Sequence, residues 1–162
     1  MLPIPSLQQI FYVDFKIIIT AKKKMLMSYT IKGPPEITME AIMNVVLIDD
    51  SLLVRERVAN IISELPGVKV IGEASNSLEA IEVVRKTKPD VVILDIKMPG
   101  ESGVQVLRKL KNEFEELKII ILTNYPYSQY KAECFKYGAD YFLSKSDEFE
   151  KLPKVLIEIG KQ

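Results

Sequence analysis

Five side chains have the types that phosphoryl chemistry needs: the carboxylates of Asp49, Asp50 and Asp95, the hydroxyl of Thr123 and the amine of Lys145. Three carboxylates held together repel one another, so a cation must pair with them. A hard divalent ion such as Mg²⁺ suits the task, since it takes oxygen ligands and keeps waters that phosphate oxygens can replace. In that setting a nucleophilic aspartate attacks phosphorus, metal and ammonium neutralise the equatorial oxygens, and a hydroxyl contacts one of them. Asp95 is the best nucleophile: it ends a fully apolar run, Met98-Pro99-Gly100 turns the chain away, and Gly103 leaves backbone room beside it. Asp49 and Asp50 would then hold the metal, directly or through water.

These residues need a scaffold that gathers positions almost a hundred residues apart. Asn44–Ile48, Val91–Leu94 and Lys118–Leu122 are apolar without alternation, as expected of strands buried on both faces of a parallel sheet. Val68–Gly72 and Asp140–Leu143 are shorter candidates. Between and after the strands, apolar residues recur at helical spacing: Val54, Val58, Ile61, Ile62 and Leu65; Ala80, Ile81 and Val84; Val104, Leu107, Leu110 and Phe114; Leu152, Val155, Leu156 and Ile159. Pro126 to Tyr137 is the weakest amphipathic stretch but fits a fourth helix, stopped by Gly138. Strict β-α alternation predicts a doubly wound α/β fold with one five-stranded parallel sheet covered on both faces. Its functional crevice lies at the C-terminal strand ends, where all five residues fall.

The rest of the sequence narrows the field. The chain has 162 residues, 27% of them charged, and a formal net charge of zero; it can hold a core without disulfides or a structural metal. With no histidine and one cysteine, His metal sites, His-based triads and internal bridges are excluded. No basic stripe suggests direct nucleic-acid binding. Composition shifts near residue 43: residues 1–42 carry four of nine prolines and five lysines against three acids, and read as a loosely ordered N-terminal extension to a domain over 43–162. The apolar run Ile17–Ala21 is far short of the roughly 20 residues a membrane span requires. Lys22-Lys23-Lys24 follows that run rather than preceding it, unlike a secretory signal, so a cytoplasmic protein without membrane attachment is expected.

Residues 44–161 closely resemble the receiver domain of two-component response regulators. The resemblance rests on Val45-Val46-Leu47-Ile48-Asp49-Asp50-Ser51, on Pro89 through Gly100 around Asp95, on Ile120-Ile121-Leu122-Thr123, and on Gly138-Ala139-Asp140-Tyr141-Phe142-Leu143-Ser144-Lys145. Separations of 45, 28 and 22 residues between Asp50, Asp95, Thr123 and Lys145 make the combination specific. The resemblance implies a flavodoxin-like strand order 2-1-3-4-5 and a phosphoacceptor role for Asp95, with a histidine kinase or phosphotransfer protein as donor. It implies Mg²⁺ on Asp50, Asp95 and the backbone carbonyl of Lys97, with Asp49 acting through water. It makes Thr123 and Phe142 a switch pair that reshapes the surface of the fourth helix and fifth strand for a downstream protein or a second copy. It places Lys97 and Tyr125 where the lifetime of the phosphate is tuned. Such a domain signals rather than catalyses, apart from self-phosphorylation by small donors and slow autodephosphorylation. Ser146 stands where many receivers have proline, which resembles the subgroup with a helix-turn-helix DNA-binding output.

Other readings stay open beside this one. A phosphorylation-independent adaptor would use Tyr125, Tyr127, Tyr130, Tyr137 and Tyr141, clustered around the fourth helix, as a constitutive partner surface. A phosphohydrolase would need a second Asp two residues after the nucleophile, where Lys97 stands. Phe142 is core on alternation alone, Ser51 is a candidate helix cap, and Cys134 reads as a small buried residue rather than a redox centre.

Overall fold

The computed structural model describes residues 42–161, so the extension expected over 1–42 lies, but for Ile42, outside the described residues. Five strands, β1 (Met43–Ile48), β2 (Val68–Ala74), β3 (Val91–Leu94), β4 (Lys118–Thr123) and β5 (Tyr141–Ser144), alternate with five helices. The helices are α1 (Leu52–Ser63), α2 (Ser77–Thr87), α3 (Gly103–Glu113), α4 (Ser128–Lys136) and α5 (Leu152–Ile159). The strands form one parallel sheet in the order β2-β1-β3-β4-β5, the flavodoxin-like arrangement that the resemblance implies.

Because residues alternate across a strand, each central strand feeds two cores. Val46, Ile48, Val92, Leu94, Ile119, Ile121 and Phe142 point to the face covered by α2, α3 and α4. Val45, Leu47, Val91, Ile93, Ile120, Leu122 and Leu143 point to the face covered by α1 and α5. That explains why β1, β3 and β4 read as unbroken apolar runs. Hydrogen bonds to side chains fix where two helices start. Asn76 caps α2 by accepting from the N–H groups of Leu78 and Glu79, and Ser102 with Gln105 forms a reciprocal capping box at α3.

Two details depart from expectation. β2 runs on to Ala74 instead of ending at Gly72, and its pairing with β1 slips between Val45 and Val46, so Ile71 is skipped in the register. A 3-10 turn, Phe149–Lys151, precedes α5 and buries Phe149. No helix among the described residues is long and apolar enough to cross a membrane.

Candidate functional site

The sheet itself delivers the acids. Past the end of β1, the Asp49 N–H donates to the Ala74 carbonyl at 3.1 Å, and past the end of β3, the Asp95 N–H donates to the Ile48 carbonyl at 2.9 Å. The ladders therefore continue one residue beyond the strands and hold both aspartates side by side at the C-terminal edge. Both are about 5% exposed. Lys145, just past β5, is tied to the same edge by its N–H, which donates to the Thr123 carbonyl at 2.8 Å.

The Lys145 ammonium lies 2.5 Å from Asp49 Oδ2 and 2.8 Å from Asp95 Oδ2, and its side chain is 7% exposed. The other oxygens of the two acids are held by backbone: Asp49 Oδ1 accepts the Ser51 N–H at 3.0 Å and Asp95 Oδ1 accepts the Ile96 N–H at 2.7 Å. Burial pushes the Asp49 carboxyl above its ordinary value, against the opposing pull of Lys145 and the Ser51 N–H. Burial also disfavours charge on Lys145, but its bonds to Asp49 and Asp95 more than offset this and raise its value, so the amine stays charged.

Asp50 differs from its neighbours. It is exposed, and its carboxylate has no hydrogen bond or ion pair among the described residues. Carboxylate oxygens of Asp49, Asp50 and Asp95 nonetheless lie within 4.8 Å of one another. Three hard oxygen donors served by one ammonium, with one donor open to solvent, fit a divalent cation of the Mg²⁺ type.

Thr123 is fully buried and its Oγ1 accepts the Tyr125 N–H at 3.2 Å, which leaves the hydroxyl proton for another acceptor. Phe142 is 6% exposed and sits in the core beneath α4, with the Lys131 ammonium 6.0 Å from its ring centroid. Lys97 is exposed and its ammonium lies 5.3 Å from the centre of the Tyr125 ring. Gly103 is required: a Cβ there would stand 2.0 Å from the Asp95 carbonyl oxygen, and the Gly103 N–H already donates to the Ile96 carbonyl at 2.7 Å. The start of α3 thus packs backbone to backbone against the loop that carries Asp95.

Some expectations are corrected. The five tyrosines do not form one surface: Tyr125 and Tyr127 are exposed, Tyr130 and Tyr137 pack against the core beneath α4, and Tyr141 packs on the opposite face of the sheet. Ser51 occupies the cap position of α1, but its side chain makes no capping bond. Cys134, by contrast, is fully buried as expected, and burial pushes its thiol up to about 11, away from the thiolate that redox chemistry needs. Sequence reasoning missed Arg55, whose Nη1 donates to the Asp49 carbonyl at 2.7 Å and whose Nε donates to Glu73 at 2.8 Å. Its place one helical turn after Ser51, on the first helix behind the acids, was the available signal.

Comparison with known proteins agrees with this geometry. The family described as the response regulator receiver domain matches residues 45–157. The chain is 34% identical over 112 residues to the uncharacterized transcriptional regulatory protein YhcZ of Bacillus subtilis (strain 168), covering 69% of this chain and 52% of YhcZ. It is 38% identical over 102 residues to the response regulator UvrY of Escherichia coli (strain K12), covering 63% and 47%. The chain therefore spans about half the length of the curated relatives it matches. Among solved structures, a two-component response regulator of the LuxR family from Aurantimonas sp. SI85-9A1 superposes with a TM-score of 0.70 at 29% identity, over 75% of this chain and 86% of that one. With its strand order, its acidic edge and the match over residues 45–157, the chain belongs to the response regulator receiver family.

Proposed function

We propose that Asp95 accepts a phosphoryl group from the phosphohistidine of a histidine kinase or phosphotransfer protein. The observation that carries this reading is the single ammonium of Lys145 shared by two buried carboxylates, with a third carboxylate open beside them. In the transfer a carboxylate oxygen of Asp95 forms the new O–P bond while the P–N bond of the donor breaks, and the leaving imidazole takes its proton from solvent. Lys145, already in contact with Asp95, is placed to pair with an equatorial phosphoryl oxygen. The Thr123 hydroxyl, whose oxygen is fixed by the Tyr125 N–H, has its proton to offer to another.

Receiver domains bind Mg²⁺ at an acidic pocket, and here Asp50, Asp95 and the Lys97 carbonyl would ligate it, with Asp49 acting through water. Bound there, the ion would neutralise charge on the phosphoryl oxygens. Phosphorylation would then be read out by Thr123 and Phe142, which link the site to α4 and β5. Lys97 and Tyr125, whose ammonium and ring lie 5.3 Å apart, would limit the approach of hydrolysing water and so set the phosphate lifetime.

The domain is a phosphoacceptor signalling module, with self-phosphorylation from small donors and slow autodephosphorylation as its own chemistry. Its output is a changed protein-binding face for a downstream protein or a second copy, in the cytoplasm, without direct contact to nucleic acid or membrane. A second reading, the receiver part of a DNA-binding regulator, is favoured by the description of YhcZ as a transcriptional regulatory protein and by the half-length match.

Intact mass after incubation with acetyl phosphate, with and without Mg²⁺, tests the reading. A gain of one phosphoryl group that needs Mg²⁺ and disappears in Asp95→Asn is expected. No gain under conditions that modify a control receiver would overturn it in favour of a constitutive adaptor.

A further inference from the structure

Among the described residues, Asp50 is the one acid of the cluster that no side chain holds. Its direction depends on the peptide that joins it to Asp49, and among the described residues that peptide has a single side-chain anchor. Arg55 Nη1 donates to the Asp49 carbonyl at 2.7 Å, while Arg55 Nε donates to Glu73 Oε2 at 2.8 Å. The arginine side chain is only 13% exposed, so the fork is held in place by its surroundings. Glu73 is itself placed by the sheet, since it pairs in register with Leu47, two residues before Asp49. Arg55 is placed by α1, its own N–H donating to the Ser51 carbonyl at 3.1 Å.

We propose that Arg55 is a positioning residue for the metal site: its guanidinium, braced on Glu73, fixes the Asp49–Asp50 peptide and so aims the free Asp50 carboxylate at the cation. The planar fork is what the geometry needs, because it bonds a carbonyl and a carboxylate at once; a lysine, with one point of charge on a flexible stem, cannot hold both in the same fixed geometry. Groups that orient a metal ligand from behind typically change metal affinity tenfold or more when removed. The proposal rests on the reading of Asp49, Asp50 and Asp95 as a Mg²⁺ site.

The sign of the effect separates positioning from charge. Removing a cation from behind three carboxylates would by charge alone strengthen Mg²⁺ binding, whereas loss of positioning weakens it. The experiment is calorimetric titration of the purified protein with MgCl₂, alongside thermal melts, for wild type, Arg55→Met and Arg55→Lys. Both variants are expected to bind Mg²⁺ at least about tenfold more weakly than wild type, and Arg55→Lys does so with its charge kept. Unchanged affinity in Arg55→Lys, or tighter binding in Arg55→Met, overturns the proposal even if both melt earlier. Should Arg55→Met fail to fold, the charge-neutral exchange to lysine decides alone. Absence of Mg²⁺ binding by the wild type would overturn the metal-site reading itself, a different result from equal binding by all three.

Discussion

The two edges of the sheet use the same residue types to opposite ends. At the C-terminal edge two of three clustered carboxylates, Asp49 and Asp95, share one ammonium, and Asp50 has none among the described residues. At the N-terminal edge Asp140 alone collects two ammoniums, Lys111 at 3.0 Å and Lys118 at 3.3 Å, and accepts the Ile119 N–H at 2.9 Å. The second arrangement is balanced and ties α3, β4 and the approach to β5 together. The first is left short of positive charge, and that deficit is what suits it to the proposed cation and phosphoryl chemistry. Satisfaction marks structure, and deficit marks function.

Glycine at each edge gives the largest test of this contrast. Gly103→Ala forces a methyl against the Asp95 carbonyl, backbone that cannot yield without moving α3. We expect a loss of about 3 kcal/mol in urea unfolding and a collapse of acetyl phosphate labelling. Gly138, at the other edge, has φ +91 but only the flexible Lys111 side chain within 3.4 Å of a new Cβ. Gly138→Ala should cost about 1 kcal/mol from strain and leave labelling intact. Equal effects on labelling would break the distinction between the edges.

Next in size, Asp140→Ala strands the Ile119 N–H and two lysines, with an expected loss of about 2 kcal/mol. Asp50→Asn should act in the opposite direction in Mg²⁺-free buffer, gaining about 0.5 kcal/mol as repulsion is relieved, and should forfeit the rise in Tm expected of the wild type on adding Mg²⁺. A destabilised Asp50→Asn would show that the acidic edge is already balanced.

The smallest effect is on pH. Burial alone would raise the Asp140 carboxyl, but the Ile119 N–H and Lys111 hold it below its ordinary value. A depressed folded-state value means that its stabilisation is present above the unfolded value of about 3.9 and is lost as pH falls through the lower folded one. The stability gap between wild type and Asp140→Asn should therefore narrow below about pH 4. A gap that widens on acidification would contradict the ion-pair account.

Much of the fold is legible in the sequence because burial on both faces leaves a plain mark. The apolar pattern places Val91–Leu94 to the residue, and β1 and β4 to within one, since a short apolar run bounded by charged residues fits a buried parallel strand and little else. Asp49, Asp95 and Lys145 are legible for the same reason: each sits directly after or close behind such a run. What the sequence hides depends on contacts between elements. The skipped Ile71 arises from how two strands register, which no single segment encodes. Alternation turns Tyr141 and Phe142 to opposite faces, but that Tyr130 and Tyr137 pack inward depends on how α4 seats against the sheet, which its weak apolar stripe does not announce. Arg55 is hard to read because one of its partners is a backbone carbonyl, which carries no residue identity, and the other, Glu73, is brought near only by the pairing of β1 with β2.

The site is closed by the strand that comes last. All three carboxylates lie before residue 96, while the balancing amine is at position 145, beyond the final pairing of β4 with β5. Parallel pairings of this kind form late, after each long crossover has been closed. A chain emerging in order from the ribosome therefore carries its full negative cluster well before Lys145 arrives. The charge balance of the site is thereby tied to complete folding, so an unfinished chain lacks the amine that its buried acids share.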